Sequence, residues 1–223
     1  GEGVAADLAA DLAAAGVAIV SGAAYGIDGA CHRAALSAGG ATVAFLAGGV
    51  DRPYPRGHEA LLAQIAAAGT VWSETPCGAA PTKWRFLSRN RLIAAMSDAV
   101  VVVEAGWRSG SLNTAAHAAT LGRPLGAVPG PVTSAASAGC HRVLREYDGV
   151  CVTSASDVLE MLGAGGSPPS AWEQARTDAT TRLLDALSPR TGRSSDDVAR
   201  RSGLAPDEAA ILLGFAELEG RVL

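Results

Sequence analysis

Short apolar runs recur along this sequence with a helix-length segment between each and the next: Val17–Val20, Thr42–Leu46, Thr70–Ser73, Ala99–Val103, Pro124–Val128 and Val150–Val152. Most are apolar at every position instead of at alternate ones, so both faces of the strands must be covered. Strands of that kind alternating with helices predict an α/β fold with a doubly wound, mostly parallel sheet. The segments between and around them read as helices at Val4–Ala15, Asp28–Ser37, Gly57–Ala68, Leu92–Met96, Ser111–Leu121, Cys140–Tyr147 and Asp157–Leu162.

Ligands of such sheets bind in the crevice at the carboxyl ends of the strands. Those ends carry Ser21-Gly22 through Gly26, Gly48-Gly49 and Ser109-Gly110-Ser111. Glycine lets a backbone approach a phosphate closely, and the helix starts beyond these loops present free N–H groups. One such loop alone would read as an ordinary strand-to-helix turn. Three on one rim, with Arg89-Asn90-Arg91 nearby, favour an anion site.

The stretch from Pro81 to Ser111 supplies the cations. Lys83, Arg85, Arg89 and Arg91 fall within nine residues with no acid among them, and Trp84 and Phe86 are interleaved. Cations hold phosphates while flat rings stack on bases, so the mixture suits a single nucleic-acid strand; the alternative is a solvated loop with its aromatics tucked into the core. This basic stretch is expected to precede the helix starting at Leu92. The formal net charge is −4, which excludes coating of duplex DNA by bulk positive charge, and any nucleic-acid contact must be a local patch. Lys83 is the only lysine.

A composition of 48% hydrophobic and 18% charged residues in 223 describes a soluble globular protein. The expected domains are an α/β unit over 1–162, a linker over 163–177 containing Gly163-Ala-Gly-Gly-Ser-Pro-Pro-Ser170, and a winged-helix-like module over 178–223, truncated at its end. The module's three short helices resemble a helix-turn-helix core. From Arg176 onward seven arginines face eight acids, so a protein-contact or packing role is expected instead of duplex binding. No membrane span and no signal peptide are expected, and the chain begins mid-pattern, as if an upstream segment were missing. Four cysteines without a C-x-x-C pair suit reduced thiols in the cytoplasm.

Several chemistries are excluded. The only lysine is followed by Trp84, so there is no P-loop. The first glycine loop offers Gly22 and Gly26 but no G-x-G-x-x-G, so no dinucleotide cofactor is expected. His32, His58, His117 and His141 lack metal-ligand spacing, and no metal is expected. Ser21, Ser109 and Ser111 lack a G-x-S-x-G elbow. Asp28, Glu74 and Glu104 read as carboxylates that cap helices or pair with Arg89 and Arg91, and no catalytic residue is assigned.

Ser21-Gly-Ala-Ala-Tyr-Gly-Ile-Asp28 with His32, Gly48-Gly-Val-Asp51 with Tyr54-Pro55, and Ser73-Glu74 resemble the DNA-processing protein A family (DprA, also called Smf). So do Phe86 with Arg89-Asn-Arg91, Val103-Glu-Ala105, Ser109-Gly-Ser111 with Thr114-Ala115, Gly122-Arg123 and Val128-Pro-Gly130. The resemblance covers roughly residues 1 to 160. It implies a Rossmann-like, non-enzymatic protein that binds single-stranded DNA, forms a homodimer, and loads a RecA-type recombinase during natural transformation. It also implies a winged-helix-like C-terminal module. Lys83 and Phe86 match the family's phosphate and base contacts, with Arg89, Asn90, Arg91 and the glycine loops lining the same pocket. Three departures stand out. The family's first strand, with its Gly-Ser-Arg loop, is missing before Gly1; Cys140-His141 stands where an asparagine contact is expected, leaving His141 as the candidate there; and Leu87 replaces a commoner proline. The alternative is a nucleotide-binding or nucleotide-cleaving, phosphoribohydrolase-like protein. The loop Ser109–His117 has no acid where those enzymes carry a glutamate. A sensor that binds a small nucleotide and signals through the C-terminal module is a further reading.

Overall fold

The structure, a computed structural model of the 223-residue chain, describes residues 1–163, 179–188 and 191–218. The chain divides into two compact units, Gly1–Gly166 and Ser167–Leu223. All but the first residue of the expected linker lies outside the described residues.

In the first unit α1 (Glu2–Ala14) leads to β1 (Ile19–Ser21), followed by α2 (Ile27–Ser37), β2 (Thr42–Phe45), α3 (Glu59–Ala68) and β3 (Thr70–Trp72). Then come α4 (Lys83–Met96), β4 (Val100–Val102), α5 (Ser111–Thr120), β5 (Leu125–Ala127), α6 (Ala138–Glu146), β6 (Val150–Cys151) and α7 (Ala155–Met161). Every strand pair is parallel, which requires a crossover between partners, and helices supply them. The α/β class with parallel strands follows from that alternation.

The sheet is in two halves. β1-β2-β3 form one and β4-β5-β6 the other, and among the described residues neither β1 nor β4 has a strand partner on its second edge. Between those edges runs a cleft of about 1230 Å³, lined by Val17–Ser21 from one side and Ala99–Glu104 from the other. Ile93 and Met96 of α4, Leu8 and Leu12 of α1, and Val158 of α7 complete its walls. One cluster of apolar residues, centred on Leu8, Leu12, Val152 and Val158, joins α1, β1, β4 and α7 across the halves. Among the described residues the two half-sheets thus share no strand pair and are joined by apolar packing of α1 and α7 against β1 and β4. Leu8 and Leu12 turn the buried face of α1 inward, while Val4, one turn before Leu8, is 43% exposed.

In the second unit α8 (Ala179–Ala186), α9 (Ser195–Ser202) and α10 (Pro206–Leu218) pack on one another. Leu183, Val198, Ala199, Leu204 and Ala209 make their core. The Ser194 hydroxyl caps α9 by accepting from Asp197 N–H at 3.3 Å, and Gly203 ends it in the left-handed region at φ +67°.

Candidate nucleic-acid interface

The basic stretch is helical from its first cation. The sequence reading starts this helix at Leu92, whereas α4 begins at Lys83. Thr82 is the cap: its backbone is extended and its hydroxyl accepts from Arg85 N–H at 3.3 Å. The start signal is masked because the first turn holds Lys83 and Arg85 and no acid, the opposite of what a helix dipole favours. The result is a helix N-terminus whose positive end is reinforced by an exposed lysine, a local arrangement suited to an anion.

Helical geometry also separates the two aromatics. Residues two apart on a helix point about 200° from each other at 100° per residue, so Trp84 and Phe86 leave α4 on nearly opposite sides. Trp84 is 76% exposed. Phe86 is half-buried, its ring centroid 5.6 Å from that of Tyr54 and 5.9 Å from Arg89 Cζ.

Arg89, Asn90 and Arg91 take three different directions. Arg89 is buried, and its Nη1 donates to Gly22 O at 2.8 Å and to Phe45 O, tying α4 to the carboxyl ends of β1 and β2. Burial lowers the pKa of this guanidinium, and the nearby Asp28 carboxylate opposes that shift. Asn90 Nδ2 donates to Gly110 O at 3.2 Å and to Asn113 Oδ1 at 3.4 Å, tying the same helix to the turn before α5. Arg91 is ion-paired with Glu74, and both are half-exposed. Glu74 also accepts from the Ser88 hydroxyl at 3.3 Å. The expectation that Glu74 pairs with an arginine is met by Arg91, while the Asp28 carboxylate accepts from Ala24 N–H at 3.2 Å.

Protein already fills the space beside most of the rim glycines. A Cβ on Gly22 would fall within 2.5 Å of the Arg89 guanidinium. On Gly48 it would meet Ala79 O and Pro81 at 3.0 Å, and on Gly49 the Asp51 carboxylate at 2.5 Å and Pro76 O at 2.7 Å. Asp51 in turn accepts from Gly78 N–H at 2.8 Å, so the 76–81 segment lies over the Gly48-Gly49 turn. Gly26 opens α2 at φ +87°. On the third loop the Ser109 and Ser111 hydroxyls are 2.7 Å apart and Gly110 is exposed.

Ser21, Gly26, Phe86, Arg89, Asn90, Gly110 and Ser111 come together on the lining of the cleft. Lys83, Gly22, Gly48, Gly49, Arg91 and Ser109 are not on that lining, and His141 supports a neighbouring loop, with Nε2 2.9 Å from Gly130 O. The sequence reading did not single out Tyr25, Tyr54 or Asn113 as site residues. Tyr25 is exposed, accepts from Gly57 N–H at 3.1 Å and meets the His58 ring edge-on at 4.8 Å. Exposed aromatics in a glycine-rich rim were the available signal for both tyrosines. Among the described residues no group of three or more His, Cys, Asp or Glu could hold a metal ion, and no helix is long and apolar enough to cross a membrane. The site's chemistry is that of hydrogen-bond donors, cations and rings.

Residues 1–163 match the family model of the DNA recombination-mediator protein A, and residues 167–223 match that of the DprA winged helix domain. A DNA processing protein DprA of Mycobacterium tuberculosis is 55% identical over 205 residues, covering 89% of this chain and 52% of that protein. The Smf protein of Escherichia coli is 41% identical, covering 69% of this chain and 41% of its own length. The chain spans about half the length of the curated relatives it matches. Among solved structures, DprA of Streptococcus pneumoniae aligns at a TM-score of 0.62 and 40% identity over 71% of this chain and 54% of that one. DNA processing protein A of Helicobacter pylori, whose structure is described for its single-stranded DNA binding mode, aligns at 0.64 and 28% identity over 72% and 73%.

Proposed function

The chain belongs to the DNA recombination-mediator protein A family, and from that premise we propose that it binds single-stranded DNA at the carboxyl rim of its strands without chemically altering it. The observation that carries this reading is the acid-free N-terminus of α4, where exposed Lys83 stands one helical turn from Phe86. Lys83 and the free N–H groups of the first turn hold phosphate, and the half-buried Phe86 ring offers an edge or face to a base. Arg89 and Asn90 act from beneath by fixing α4 to the β1, β2 and α5 loops. Ser21, Gly22, Gly26, Gly48, Gly49, Ser109, Gly110 and Ser111 shape the rim, and Arg91 and His141 lie at its margins.

The family points further, to a cytoplasmic homodimer that delivers the strand to a RecA-type recombinase during DNA uptake. The first test is fluorescence anisotropy with labelled single-stranded and duplex oligonucleotides across a salt series. Tighter single-strand binding that weakens with salt supports the proposal; equal or absent binding to both sinks it. For the recombinase step, the chain should shorten the lag of filament assembly on a single strand, and an unchanged lag removes that part.

A further inference from the structure

The turn between β4 and α5 holds an indole ring in solvent. Ser109 N–H donates to Gly106 O at 3.0 Å and closes a four-residue turn with Trp107 and Arg108 at its tip. Trp107 is 61% exposed, and Arg108 beside it is exposed as well. A lone exposed apolar side chain is ordinary in itself. This one differs in being held on one side: Arg142 of α6 places Cζ 5.5 Å from the indole centroid and 5.9 Å from that of Tyr147. Arg142 is steadied by its Nε, which donates to Glu146 Oε2 at 2.6 Å. The ring therefore has a cation behind it and most of its surface open.

The platform is also rigidly joined to the site proposed above. Ala105 N–H donates to Ala136 O at 3.0 Å, and Gly139 N–H donates to Ala105 O at 2.7 Å, which fixes the turn against the start of α6. Three residues beyond Trp107, Gly110 O is held by Asn90 of α4. Trp107 thus sits on the same rim as Phe86, linked to α4 through one backbone carbonyl. Glu146 of α6 is engaged by Arg142, and Glu104 precedes the turn on the same loop.

Building on the single-strand reading, we infer that Trp107 is a second base-stacking platform for the same strand, with Arg108 placed for an adjoining phosphate. A flat ring backed by a guanidinium takes any base, because every base has a π-face. The occupant is a nucleotide further along the strand from the one at Phe86. That makes the contribution of Trp107 depend on oligonucleotide length.

The test measures affinity for single strands from about 4 to about 16 nucleotides, the span of common single-strand sites, with the wild type, Trp107→Ala, Trp107→Phe and Phe86→Ala. Wild type and Trp107→Ala should bind the shortest strands equally and diverge with length to a loss of roughly 5- to 10-fold, within the range of one stacked base. Trp107→Phe should retain most of the affinity, and the salt slope should be unchanged because no charge is lost. A loss that is the same at every length overturns the inference. So does no loss at any length; if Phe86→Ala still weakens binding, the single-strand reading survives that result. A wild type that binds no single strand sinks both. A change in oligomeric state by Trp107→Ala with DNA affinity intact assigns the ring to contact between copies and also overturns the proposal.

Discussion

The guanidinium of Arg89 occupies the space into which Gly22 would project a side chain: a Cβ there would lie 2.1 Å from Nη1 and 2.4 Å from Cζ. The same nitrogen donates to Gly22 O at 2.8 Å. One glycine and one arginine, distant in sequence, therefore define each other's position at the end of β1.

Gly22→Ala should destabilise the first unit by about 1–3 kcal/mol through overpacking. Arg89→Ala should cost a comparable amount by leaving the Gly22 and Phe45 carbonyls without their donor. Combined, the two should cost less than their sum, because the second removes the obstacle met by the first. Denaturant midpoints of the four proteins measure this; strict additivity would refute the coupling.

Lys83 and Phe86 should separate the two components of DNA binding. Lys83→Ala should reduce the salt slope by about 0.7, the value for one released counterion on a single strand. Phe86→Ala should weaken binding by about 1–3 kcal/mol with the slope kept. Anisotropy titrations at several salt concentrations read both, and thermal melts check that loss of the Tyr54 contact has not unfolded Phe86→Ala.

Glu74 holds Arg91 in a half-exposed ion pair. Glu74→Gln should free that cation, tighten single-strand binding and steepen the salt slope by about 0.7. Stability should move by no more than about 1 kcal/mol, as for other exposed pairs. An unchanged slope would place Arg91 off the path of the strand.

Acid should weaken the fold through His32. This ring is fully buried, with Nδ1 2.7 Å from the Thr42 hydroxyl and no hydrogen-bond partner for Nε2 among the described residues. Burial is the main reason its pKa falls from 6.5 to about 4, against the pull of Asp28. The unfolded chain takes up a proton below about pH 6.5 while the folded one resists until about pH 4. Stability is therefore full above the upper value and declines as pH falls through that window, by up to about 3 kcal/mol. Urea midpoints from pH 7 to pH 4 should show the decline, and His32→Gln should flatten it.

The strand order of events along the chain was legible because fully apolar runs such as Val100–Val102 have few alternatives to a buried parallel strand. The start of α4 was not, since its cap residue is followed by cations that contradict the usual charge preference. Nor could the glycine loops be read fully. Glycine is required equally where a phosphate approaches and where protein does, and at Gly22, Gly48 and Gly49 the neighbour is protein. The direction of each residue in Arg89-Asn90-Arg91 depends on helix phase, which a misplaced helix start concealed. Trp107 gave no periodic signal at all, because a turn tip belongs to neither a helical nor a strand pattern.

Two parallel strand edges, β1 and β4, face each other across the cleft without partners among the described residues. Unpaired edges template the addition of another extended chain. An extended segment entering this cleft would therefore meet hydrogen-bonding backbone on both of its sides, from β1 and from β4.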